Sequence, residues 1–270
     1  MLTTSLSHSR WANLKYVASA HPTERTFTGR ARRVTLLLEK IKIRPDDVVL
    51  DIGCGHGDLS LGLAKDGFSM IGLDVFLPGL MSAAATSSKQ RLGAMFVRSS
   101  AEHLAVKENI AKIAICYNIW EHVQNRMELL RQVSRVLCQD GLLLLVVPNR
   151  FWVIETHYRL PLLSWLPRSL ANAYLRVTRR GTEYDVSCPS WWELKESLEC
   201  GGFGVNNLNL FIIRNFNVLY PEPEYLGATK HRVGCLVSLL LNALPDRIAE
   251  LISNLLTEAF FVTAEKLPSK

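Results

Sequence analysis

The chain predicts an α/β domain in which a mostly parallel β-sheet carries helices on both faces. Three observations say so. From residue 34 to 148, short apolar runs alternate with segments of helical periodicity, the order a doubly wound sheet produces. The run Leu142 to Val147 is apolar at every position, as a strand buried on both faces must be. Val48 to Asp74 reads as strand, glycine-rich turn, helix and strand in one unbroken unit.

Taken in order, Val34, Leu37, Leu38 and Ile41 lie at helical spacing between Arg30 and Ile43, and Pro45-Asp46-Asp47 leads into the first strand. Arg30, Arg32 and Arg33 read as a solvated face and are the best candidates for phosphate contact. After Asp74, Leu77-Pro78-Gly79-Leu80 precedes an alanine-rich helix to about Leu92, then a strand from Ala94 to Val97. The next buried strand is Ile110 to Tyr117, followed by a helix from Asn125 to Cys138, which Glu121 is expected to cap. Gln139-Asp140-Gly141 is expected to be a turn and Leu142 to Val147 the fifth strand. Pro189 to Leu194 opens another helix ending at Gly201-Gly202, and Val205 to Ile213, alternating apolar residues and asparagines, is expected to be a half-exposed strand. Two amphipathic helices broken at Pro245-Asp246 and a strand from Ala259 to Ala264 close the chain.

The turn at the centre reads Asp51-Ile52-Gly53-Cys54-Gly55-His56-Gly57. Glycines let backbone approach a ligand closely, and an acid about 20 residues beyond such a turn can accept hydrogen bonds from both hydroxyls of a ribose. Asp51, at the end of the first strand, would repel a pyrophosphate and suits a cationic nucleoside. The plain structural alternative is an ordinary strand-helix turn with Asp58 capping the helix.

The pattern D-x-G-x-G-x-G, with Asp74 ending the second strand, resembles motifs one and two of the class I S-adenosylmethionine-dependent methyltransferases. The small-molecule, ubiquinone-biosynthesis-like type is the nearest in pattern. The resemblance implies a Rossmann-like sheet of seven mostly parallel strands, the last inserted antiparallel, and S-adenosylmethionine as cofactor. It places Asp51, Gly53, Cys54 and Gly55 on the first motif, facing the amino-acid part of that cofactor, and Asp74 with Val75 on the second, at the ribose. Many members carry an acid for the adenine amino group where this chain has Ser100, so Ser100, Ala101 and Glu102 are the adenine candidates, with either Ser100 or Glu102 in the acid's role. Tyr117 and Asn118, at the carboxyl end of the fourth strand, are expected to line the site. The domain is expected to span residues 30–270, with 1–29 as an arm or lid in which Trp11 or Tyr16 covers the cofactor. Residues 149–187 form a substrate-site insert and 228–257 additional helices.

Methyl transfer from a sulfonium needs collinear positioning and, for a hydroxyl acceptor, a base. The insert is rich in aromatics, arginines and prolines and suggests an apolar pocket with a few polar groups. Among Glu155, His157, Tyr158, Tyr184 and Asp185, His157 is the expected base, with a reference pKa of about 6.5, and Glu155 its companion. Glu121 and His122 are two adjacent residues, fewer than a ligand set, so no metal is expected.

Composition narrows the rest. With 48% hydrophobic residues the 270-residue chain supports a packed core. Six cysteines without a C-x-x-C pair read as reduced core residues and point to the cytoplasm. No signal-peptide core and no run of about 18 apolar residues is present. The net charge of +6 is dispersed. It leaves RNA or DNA as an alternative acceptor without its usual motif: Asn118 is followed by Ile119 and Trp120, not by two prolines. The other alternative is a non-catalytic cofactor-binding scaffold. A small, lipophilic acceptor is the main reading. Apolar faces in 160–177 and after Thr229, flanked by Arg159, Arg168, Arg176, Arg179, Arg180 and Arg232, suggest peripheral contact with an anionic membrane. Oligomeric state is left open.

Overall fold

The computed structural model describes residues 31, 33–39, 42–219 and 228–267. Trp11 and Tyr16, the expected lid, and Arg30, Arg32 and Ile41 lie outside the described residues.

Seven strands form one sheet: β1 (Val48–Ile52), β2 (Ser69–Asp74), β3 (Met95–Arg98), β4 (Ala111–Tyr117), β5 (Leu137–Pro148), β6 (Phe203–Asn207) and β7 (Ala259–Lys266). Their spatial order is β3-β2-β1-β4-β5-β7-β6. The pairs from β3 to β5 are parallel, whereas β7 lies antiparallel between β5 and β6. This is the expected seven-stranded, mostly parallel Rossmann-like sheet. The chain leaves β1 in one direction for β2 and β3 and returns on the other side at β4. The crevice beyond the carboxyl ends of β1 and β4 is therefore the place for a ligand.

Period-two alternation assigns each strand residue to one of two cores. Leu50, Ile52, Ala114, Cys116, Leu143, Leu145 and Val147 face α4 (Arg126–Val136) and α6 (Trp191–Cys200), which contribute Leu129, Val133, Leu194 and Leu198. Val49, Ile113, Ile115, Leu144 and Val146 face the other way, toward α1 (33–39) and α2 (Asp58–Lys65). Each Leu or Ile buried this way contributes roughly 1.5–3 kcal/mol. Between β2 and β3, α3 (Leu77–Gln90) starts directly at Leu77, with proline in its first turn.

Two expectations about local structure are corrected. Residues 139–141 continue β5, with a register shift against β4 between Ala111 and Ile113. The alternation from Val205 to Ile213 is a strand only to Asn207, after which residues 209–214 form α7 (Asn209–Arg214). The asparagines are responsible. Asn207 Oδ1 accepts a hydrogen bond from the Asn209 backbone N–H at 2.9 Å, and Asn209 Oδ1 accepts from Phe261 N–H at 2.8 Å, so side chains that mimic polar strand positions turn the chain into a helix and pin it to β7.

The chain between β5 and α6 builds a core of its own. Leu160, Leu163, Ala171, Leu175, Tyr184 and Val186 pack together around α5 (Arg168–Val177). Between β6 and β7, α7 is followed by α8 (Phe216–Leu219), α9 (Ala228–Asn242) and α10 (Asp246–Leu256), the last two broken at Pro245 as expected. Asn149, the first residue after β5, donates to the Asn254 and Thr257 carbonyls at 3.1 and 3.0 Å. That ties the end of α10 to the carboxyl edge of the sheet. Among the described residues no helix is long and apolar enough to cross a membrane.

Candidate functional site

The glycine turn is held in a shape that only glycine adopts easily. Gly53, Gly55 and Gly57 have φ of 79°, 57° and 75°. The Gly53 and Cys54 N–H groups both donate to the Leu73 carbonyl, at 2.7 and 3.1 Å. Asp74 completes the link: its Oδ2 accepts from Gly55 N–H at 2.7 Å and its Oδ1 from Phe76 N–H at 2.8 Å. The tips of β1 and β2 are thus one unit. Asp74 remains partly exposed, and each of its oxygens keeps a lone pair for a ligand hydroxyl.

Asp51 is 2% exposed and accepts a 2.6 Å hydrogen bond from Ser60 Oγ at the start of α2. Burial, with Asp51 nearby, pushes the thiols of Cys54 and Cys116 far up from their ordinary value, which disfavours the reactive thiolate. Val75 is exposed beside Asp74. Tyr117 ends β4, and Asn118 follows in a left-handed conformation (φ 54°) with its N–H on the Val146 carbonyl at 2.8 Å. Ser100 and Ala101 are partly buried in the loop after β3. Glu102 next to them is committed: its Oε1 accepts from Asn125 N–H at 3.0 Å, which joins that loop to the start of α4. Glu121 does not cap that helix, because Asn125 does, accepting from Glu128 N–H at 3.0 Å.

Glu121 has another setting. It lies on a 3₁₀ turn (Trp120–His122) just past β4, its carboxylate fully buried, and neither oxygen accepts a hydrogen bond among the described residues. The insert brings His157 against it. His157 Nε2 stands 3.3 Å from Glu121 Oε1, and His122 Nε2 stands 3.9 Å from the same oxygen. The two imidazoles meet edge to face, 5.2 Å between centroids.

Behind His157 sits Glu155, 2% exposed. Its Oε1 is 2.8 Å from His157 Nδ1, while Oε2 accepts from the backbone N–H groups of His157 at 2.8 Å and Tyr158 at 2.6 Å. Burial pulls the His157 pKa down, but the two carboxylates outweigh it and raise the value to about 9. The two carboxylates thus favour the charged imidazole over the free base that the reference pKa suggests. Tyr158, Tyr184 and Asp185 serve the insert's own packing: Tyr158 Oη donates to Asp185 Oδ1 at 2.7 Å, and the two tyrosine rings pack at 5.9 Å.

The sequence reading paired His157 with Glu155 but set Glu121 and His122 aside, since two neighbours in sequence do not make a cluster. The available signal was an acid and a histidine at the carboxyl end of a central strand, with a further histidine in the segment that folds over it.

Residues 50–145 match the family described as a methyltransferase domain. The chain is similar to a ubiquinone biosynthesis O-methyltransferase of Rickettsia typhi, 24% identical over 174 residues that cover 61% of this chain and 69% of the relative. Among solved structures it is similar to the plantazolicin methyltransferase BamL, solved in complex with a triazolic desmethylPZN analog and SAH. The TM-score is 0.58 at 17% identity, covering 97% of this chain and 91% of that one. It is also similar to the [4+2]-cyclase SpnF, with a TM-score of 0.51 at 17% identity, over 88% and 82% of the two chains. At such identities the structures speak for the fold alone, and two different reactions are named on it.

Proposed function

We propose that this chain, whose domain and fold are those of the class I S-adenosylmethionine-dependent methyltransferases, moves a methyl group from that cofactor to a small, lipophilic acceptor, with a hydroxyl oxygen as the receiving atom. The observation that carries the reading is the single unit made by the glycine turn and Asp74. It offers a backbone surface without side chains at Gly53 and Gly55, and a half-open carboxylate at the end of β2. These features fit S-adenosylmethionine. The turn admits its amino-acid part, Asp74 accepts from the two ribose hydroxyls, and the buried Asp51 disfavours phosphate and favours a cation. When bound, the cofactor supplies a methyl group already activated on a sulfonium.

The protein's own residues then hold the acceptor and handle its proton. Glu121, His122 and His157 stand at the carboxyl end of β4, where an acceptor would meet the cofactor edge. Glu155 fixes the ring of His157 through Nδ1, leaving Nε2 turned toward Glu121. The similarity to an O-methyltransferase of ubiquinone biosynthesis supports an oxygen acceptor on a lipophilic molecule. So does the surface: Val233, Leu236, Leu239 and Leu240 on α9 and Ile248 and Leu251 on α10 are at least half exposed. Set on helices tied to the carboxyl edge, they offer a face for contact with a bilayer that holds such an acceptor.

The test has two stages. Calorimetry with S-adenosylmethionine is expected to give one site per chain. Transfer of a tritiated methyl group is then expected into the organic-solvent-soluble fraction of a cell extract. Tight cofactor binding without transfer to any fraction would favour the scaffold reading.

A further inference from the structure

We propose that Glu121, His122 and His157 form a binding site for a divalent transition-metal cation of the zinc class, beside the place assigned to the methyl acceptor. The carboxylate and the two imidazoles each offer one ligand atom, and these atoms lie within 4.8 Å of one another. Around a tetrahedral cation with bonds of about 2.0–2.2 Å, ligand atoms stand roughly 3.3–3.6 Å apart. The 3.3 Å between His157 Nε2 and Glu121 Oε1 already has that value, and the 3.9 Å to His122 Nε2 closes with a small ring movement.

Two independent observations point to a cation. The first is the Glu121 carboxylate, whose two oxygens are buried and accept no hydrogen bond among the described residues. A buried anion needs a positive charge beside it: His157 at 3.3 Å supplies one while it holds its proton, and a cation bound in place of that proton would meet the carboxylate directly. The second is Glu155. By binding Nδ1 at 2.8 Å it fixes the tautomer and orientation of His157, so that Nε2 is turned toward Glu121. A carboxylate behind a histidine in this way is the usual outer support of a metal-bound imidazole. Glu155 is itself anchored by two backbone N–H groups, so the support is rigid.

The donor set selects the metal. Two imidazoles and one carboxylate suit zinc, cobalt or iron(II), whereas magnesium and calcium prefer oxygen alone. Three protein ligands leave one position of a tetrahedral set, the arrangement of a site that takes an exchangeable fourth ligand. A hydroxyl or enol oxygen of the acceptor is the chemical class that would take it. The importance of the fourth position rests on the methyltransferase reading; the binding of the cation does not.

The experiment uses the full chain, freed of metal with a chelator and titrated with cobalt(II) without cofactor, and follows the visible d–d absorption. The expected result is one equivalent of cobalt in a four-coordinate spectrum, displaced by one equivalent of zinc. Glu121→Gln, His122→Gln and His157→Gln should each weaken cobalt binding at least about 100-fold, and Glu155→Gln about 10–100-fold. S-adenosylhomocysteine binding, measured on the same preparations, reports that each variant is folded. His122→Gln, at the more exposed position, is the variant least disturbing to the core. No stoichiometric cobalt binding, or a spectrum unchanged in folded His122→Gln and His157→Gln, would overturn the metal site. Failure of the wild type to bind S-adenosylhomocysteine would instead count against the methyltransferase reading.

Discussion

A Cβ built on Gly53 would stand 2.8 Å from Cδ1 of Ile119, so the turn after β1 and the segment after β4 fit together only because residue 53 has no side chain. Gly53→Ala therefore meets two obstacles, the contact with Ile119 and a φ of 79°. The backbone strain alone costs about 1–3 kcal/mol. Chemical denaturation should show a loss of at least that size, together with loss of S-adenosylmethionine binding by calorimetry. Gly53→Ala combined with Ile119→Ala should recover only part of the steric cost, because the Ile119 Cβ itself stands 2.9 Å from the added methyl, and should leave the strain. Full recovery by the double variant would mean that φ is unimportant.

Asp51 is buried at the root of the turn, with Ser60 Oγ donating to it at 2.6 Å. Asp51→Asn keeps the shape and removes the charge. Affinity for S-adenosylmethionine should fall at least about tenfold, which is about 1.4 kcal/mol. Equal affinity in wild type and variant would remove Asp51 from the cofactor site.

Glu155 accepts from two backbone N–H groups and stands against a third donor at His157 Nδ1. Glu155→Ala leaves buried donors without acceptors, at a cost of about 1–3 kcal/mol by urea unfolding. Glu155→Gln should retain part of that stability, because its amide oxygen still accepts. If the two variants are equally stable, the backbone hydrogen bonds are not what Glu155 contributes.

At the start of α6, Glu193 reaches back to Ser190 N–H at 2.7 Å and to Arg150 at 2.9 Å. Burial raises its pKa, but the hydrogen bonds from Ser190 and the Arg150 charge outweigh it and hold the carboxyl below its usual value of 4.5. A folded pKa below the unfolded one contributes stability above about pH 4.5, lost as the pH falls through the folded value. Glu193→Gln should thus destabilise at pH 7 by less than about 1 kcal/mol, the pair being half exposed. The gap to wild type should narrow below pH 4.5 in pH-dependent melting curves, and a constant gap would contradict the linkage.

On α9, Leu236 is 56% and Leu240 57% exposed, one helical turn apart. If this face meets a bilayer, Leu236→Glu with Leu240→Glu should reduce cosedimentation with anionic liposomes by at least about tenfold, with cofactor binding unchanged. Equal sedimentation of variant and wild type would clear the face of that role.

Much of this fold could be read in the chain because its signals are local. The apolar run Leu142 to Val147 marks a strand buried on two sides whatever surrounds it. The D-x-G-x-G-x-G turn names its backbone shape by residues that tolerate positive φ. Asp74 could be assigned to the tip of β2 because the alternation that ends there is short-range. The α7 helix was not legible for the opposite reason. Its asparagines match a strand pattern locally, and Asn209 is held in the helix by partners, Phe261 and Thr257, that only the folded chain brings to it.

The same division runs through the site. By itself the sequence determined the fold class, the glycine turn and its two acids, since these follow from backbone sterics and the period of hydrophobic residues. Tertiary structure alone decided what Glu121 and His157 are to each other. The insert packs on its own core and carries His157 to a carboxylate at the end of β4, where burial removes water and leaves 3.3 Å between them. Charge and distance across that contact change what both groups can do, and no local pattern encodes a contact between segments that meet only when the chain is folded.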